Sequence, residues 1–81
     1  MSTDTTDATY DIALAATIIS LRHTLARAMV DATTACQDLE NGNPRAAVGA
    51  VIPISYALDD ARALLLTIFV LNRNLNPGEN L

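Results

Sequence analysis

The sequence predicts an all-α protein: an antiparallel helical hairpin, its second helix kinked at Pro53, that dimerises into a four-helix bundle. Three observations carry this reading. Apolar residues recur at alternating steps of four and three along two long segments, the heptad spacing of packed helices. One strong break, Asn41-Gly42-Asn43-Pro44, separates those segments. The second segment also carries more apolar surface than a single antiparallel neighbour can cover.

Residues 1–6 read as a polar tail, with Thr6 or Asp7 capping a first helix over 7–41. On that helix Leu14, Ile18, Leu21, Leu25, Ala28, Ala32, Ala35 and Leu39 form the expected seam. A second stripe of Ile12, Ala15, Ile19, Ala26, Met29 and Cys36 lies beside it, and Thr17, Ser20, Thr24, Arg27, Asp31, Thr34 and Asp38 share the face expected to be wet. In the turn over 41–43, Gly42 suits a left-handed backbone after the helix end. Asn43 suits the cap of the next helix, with Pro44 at its first position.

The second helix is expected over 44–75, with Ala47, Val51, Ile54, Leu58, Ala61, Leu65, Ile68 and Leu75 as its seam and Asn72 as the polar member. Inside it Pro53 removes one backbone hydrogen bond and crowds the carbonyl of Gly49, where the absent side chain leaves room to bend. A bent but continuous helix is expected, a full break between Ile52 and Ile54 being the alternative. The bend either fits the bundle or acts as a hinge that shapes a partner groove. Asn76-Pro77-Gly78 stops this helix, leaving 77–81 as a tail.

Two helices of this length, about 45 Å at 1.5 Å per residue, make a thin rod if they stand alone. Leu64, Leu65, Leu66, Ile68, Phe69, Val70 and Leu71 cover most of the second helix's circumference. The predicted oligomer interface is therefore Leu58, Ala61, Leu65, Leu66, Ile68, Phe69 and Leu71, closed most simply by a two-fold copy.

Composition narrows the function. At 81 residues the chain allows one domain, of a size that needs a staple or a partner. The lone Cys36 cannot close an intramolecular disulfide, and the stretch Met1 to Asp7 is acidic rather than signal-like; both point to the cytoplasm. Five arginines, no lysine and nine acids give a net charge of -4, which argues against nucleic acid. The charge-free runs Ala46 to Leu58 and Ala63 to Asn72 fall short of the ~20 apolar residues that span a bilayer, arguing against an integral membrane protein.

No nucleophile triad, phosphate-binding glycine loop or metal-ligand spacing is present, so neither an enzyme nor a cofactor is expected. His23 and Cys36 lie more than three helical turns apart, too far to share an ion, and Cys36 is expected to be buried and inert. Asp59 and Asp60 point about 100° apart on a helix and read as a solvated strip, Asp59 pairing with Arg62.

What remains is a non-enzymatic protein–protein interaction module, a homodimer that regulates, inhibits or scaffolds an unknown protein partner. Arg22, His23, Arg27, Asp59 and Asp60 are its candidate partner-binding residues. A small apolar ligand held between the kinked helices, or a membrane surface met by the Leu64 to Leu71 run, are alternatives; that run lacks the flanking basic face of interfacial helices. The dimeric hairpin, the Arg22, His23 and Arg27 cluster and the final Gly78-Glu79-Asn80-Leu81 resemble the Rop family of plasmid copy-number proteins. The resemblance implies an RNA-binding helical bundle as a further alternative. The helices here are longer than in that family and no lysine is available for phosphate, so no RNA-contacting residue carries over.

Overall fold

The computed structural model describes residues 2–75, with side chains over 9–73. The Asn76-Pro77-Gly78 stop and the Gly78-Glu79-Asn80-Leu81 tail lie outside the described residues. Two helices, α1 (Ser2–Glu40) and α2 (Pro44–Leu75), pack against each other along their length. The first begins at Ser2, where a polar tail had been expected over 1–6. Once a helix exists, each added residue costs little, and acids such as Asp4 and Asp7 suit the positive end of the helix dipole.

The turn is built from its own residue types. Gly42 takes φ +74°, a conformation in which a side chain would crowd the backbone. Its N–H donates to the Leu39 carbonyl at 3.0 Å and that of Asn43 to the Asp38 carbonyl at 2.8 Å. Together these satisfy two carbonyls that the helix end would otherwise orphan. The Asn43 side-chain oxygen then accepts from the Ala46 N–H at 3.2 Å, capping α2 with Pro44 at its first position. In three residues the chain has reversed, and α2 must lie back along α1.

α2 runs unbroken through Pro53, so the full break between Ile52 and Ile54 does not occur. The product is a rod with extents of 62 × 21 × 15 Å. Its radius of gyration of 18.1 Å compares with about 12 Å for a compact domain of this length.

The packed seam differs from the expected one by half a heptad face. Leu14, Leu21, Ala28 and Ala35 on α1, and Ala47, Ile54, Ala61 and Ile68 on α2, face inward as the spacing predicts; they take position a of a heptad lettered a to g. Their seam partners, at position d, are Thr17, Thr24, Asp31 and Asp38 on α1 and Ala50, Ala57, Leu64 and Leu71 on α2. Thr17, Thr24, Asp31 and Asp38 were expected on the wet face. Ile18, Leu25, Ala32, Leu39, Val51, Leu58 and Leu65, expected in the seam, are exposed instead, at position e.

The reason is steric and local. Where α2 presents Ala47, Ala50 and Ala57 the axes can come close, and the short side chains of Asp31 and Asp38 suit that stretch. Thr17 enters at little polar cost because its hydroxyl donates to the Ala13 carbonyl at 2.8 Å. Among the described residues only Ala35, Ala47 and Ala61 are buried. With so small a core, Leu14, Leu21, Ile54, Leu64, Ile68 and Leu71 are half-buried and the other large apolar side chains lie outside.

Candidate interaction surfaces

Because the two helices run antiparallel with the same order of heptad positions, their e positions line one flank of the hairpin and their g positions the other. The two flanks differ in chemistry. The e flank presents Ile18, Leu25 and Leu39 from α1 beside Val51, Leu58 and Leu65 from α2, all exposed by 40% or more. Met29, Val48 and Phe69, one helical step further out at position b, widen it. Arg22 and Arg62 share position b and stand at its two outer edges.

The g flank is polar and grooved. Thr24, Arg27 and Asp31 from α1 meet Pro53, Tyr56, Ala57 and Asp60 from α2 around a groove of 210 Å³. Pro53 shapes this groove rather than the apolar flank. Asp60 also borders its continuation toward Ala63, Leu64 and Thr67. Two hydroxyls of this flank are committed to their own helices: Thr34 donates to the Val30 carbonyl at 3.1 Å and Thr67 to that of Ala63 at 3.1 Å. What the groove offers a partner is the charges of Arg27, Asp31 and Asp60, the phenol of Tyr56 and the hydroxyl of Thr24.

The predicted interface residues divide accordingly. Leu58 and Leu65 sit on the apolar e flank and Phe69 at its rim, whereas Leu66 is exposed at position f, on the back of α2. Ala61 is buried inside the hairpin, and Ile68 and Leu71 are half-buried in its seam; all three were placed at the oligomer interface because the seam had been assigned half a face away. The α1 side of the apolar flank, Ile18, Leu25, Met29 and Leu39, was absent from that interface set. Its signal was present in the four-and-three spacing but had been assigned to the seam.

Cys36 is exposed, against the expectation that it is buried, because it lies one helical step beyond the seam residue Ala35. Of the candidate partner-binding residues, Arg27 and Asp60 come together at the groove, and His23 joins Arg27, Asp31 and Pro53 around an adjoining hollow, while Asp59 borders neither. Five residues apart, Arg22 and Arg27 point about 140° from each other at 100° per residue, so the basic cluster does not converge on one face. Gly49 is exposed, with no atom within 4 Å of where a Cβ would stand. Among the described residues no three His, Cys, Asp or Glu side chains gather as metal ligands would. No helix among them is long and apolar enough to cross a membrane. Compared with family models, with curated proteins and with solved structures, the chain matches none.

Proposed function

We propose that the protein is a non-enzymatic protein–protein interaction module that works as a homodimer, its e flank the dimer interface and its polar g flank the surface left for a regulated or scaffolded partner. The supporting observation is the exposed ladder Ile18, Leu25, Leu39, Val51, Leu58 and Leu65 over a core of only Ala35, Ala47 and Ala61. The chain exposes 6184 Å². A compact monomer of 8.6 kDa exposes about 4,700 Å², so the excess is about 1,500 Å². A standard interface removes about 800 Å² from each partner, less than this surplus for the whole chain. A bundle of four helices is the simplest way to cover it.

Carboxylates placed on the flank test the reading. Leu25→Asp and Leu58→Asp should each turn the dimer into monomer in sedimentation experiments, because a buried unpaired charge costs several kcal/mol. Leu66→Asp, on the back of α2, should leave the dimer intact. Loss of the dimer on Leu66→Asp and not on the other two would mean that a different face associates.

A further inference from the structure

Resting on the reading that the g flank is the surface left for a partner, we propose that its occupant is a helix of that partner, bearing two basic side chains two turns apart with an acid between them. The flank has room for one. The groove around Arg27, Asp31 and Pro53 opens into a hollow bordered by His23 and Val30 on one side. On the other, Thr24 and Asp60 lead into a hollow bordered by Leu64 and Thr67. The three run end to end between the helices. The chain reverses about Gly42, so Thr67, 25 residues beyond it, stands level with Thr17, 25 residues before it. From that level to Asp31 the furrow runs for about 20 Å, or four turns of helix, at 1.5 Å per residue.

Charge alternates along this furrow. Asp60 and Thr24 stand level by the same symmetry, each 18 residues from Gly42, and both border the same two hollows. From there Arg27 lies three residues along α1 and Asp31 seven, about 4.5 and 10.5 Å. A carboxylate, a guanidinium and a carboxylate therefore follow one another at successive turns. Among the described residues no ion pair joins these three side chains, so their charges are open to a partner.

The complement is basic, acidic and basic at the same levels. On a helix parallel to α1 this is Arg at i, Glu at i+3 and Arg at i+7, all on one face. On a strand the same 10 Å is about three residues, which sends the two basic side chains to opposite faces. The groove walls also suit a helix. Ala57 and Ala63 are small, and small residues let a further helix axis approach to about 8 Å. The ring of Tyr56, 68% exposed, adds an aromatic surface that a guanidinium favours.

Two alanine-based peptides of one composition, each about 20 residues so that the helix forms, test the proposal. One carries Arg-x-x-Glu-x-x-x-Arg; the other holds the same three charged residues side by side. Binding is read by fluorescence anisotropy of the labelled peptide at low salt, with the sedimentation mass and circular dichroism of each variant recorded alongside. The patterned peptide should bind about tenfold more tightly than its isomer. Asp60→Asn should weaken it about threefold, as expected of an exposed pair, and the half-buried Asp31→Asn about tenfold. Asp59→Asn removes the same charge outside the groove and should change nothing, which separates a docking site from general attraction to an acidic chain. Equal binding of the two peptides, or none, overturns the proposed helix and leaves the division of flanks standing. Binding that survives Asp31→Asn and Asp60→Asn but is lost on Leu25→Asp puts the peptide on the apolar flank and overturns both.

Discussion

At the scale of single residues, backbone conformation and local hydrogen bonds decide what each position tolerates. Gly42 and Gly49 illustrate two opposite cases. At Gly42 the positive φ excludes a side chain although the space around it is empty, so Gly42→Ala should lower stability by about 1–2 kcal/mol. At Gly49 the backbone is helical and nothing stands near an added Cβ. Gly49→Ala should therefore raise stability by about 0.5–1 kcal/mol through backbone entropy alone. Urea unfolding of both variants at matched protein concentration checks the pair. A loss at Gly49 would show that the path of α2 through Pro53 depends on glycine four residues before it. The first glycine was legible from Asn-Gly-Asn-Pro, since each residue of that run has one mechanical use. Exposed Cys36 was not, because burial statistics for cysteine say nothing of which side of a seam a residue lies on.

At the scale of helices, the question is which stripe faces the neighbour. The four-and-three spacing located both helices and half of each seam: Leu14, Leu21, Ala28 and Ala35, with Ala47, Ile54, Ala61 and Ile68. It misplaced the other half. Hydrophobicity ranks Ile18 and Leu25 above Thr17 and Thr24 as core residues, yet the structure turns both threonines inward. Pattern alone does not decide this, since packing depends on the volumes of both helices together. Asp31 shows the consequence, a half-buried carboxyl in the seam beside the groove lined by Pro53 and Tyr56. Asp31→Leu adds apolar burial and a better helix former, with the groove to receive the longer chain. It should stabilise the hairpin by about 1 kcal/mol, half of a full leucine burial, and raise the melting temperature. A fall in melting temperature would mean that the carboxyl holds the two helices in register.

At the scale of the whole molecule, the proposed function rests on the division between flanks. A hairpin with an alanine core leaves a leucine, isoleucine and valine flank uncovered, whereas its other flank is grooved and charged by Arg27, Asp31 and Asp60. That surplus of apolar surface was legible in the sequence, from the Leu64 to Leu71 run. Its location was not, because α1 contributes Ile18, Leu25 and Leu39 to the same flank, and Ile68 and Leu71 turn inward. Association and folding are coupled in such a molecule, so its melting temperature should rise with protein concentration. The most direct test of the central claim is the solution mass, measured by light scattering behind a sizing column over a wide range of concentration. A mass of twice the chain, held on dilution, is the expected result. A folded monomer at every concentration would contradict it, leaving the flank of Leu25 and Leu58 open to water in the isolated protein.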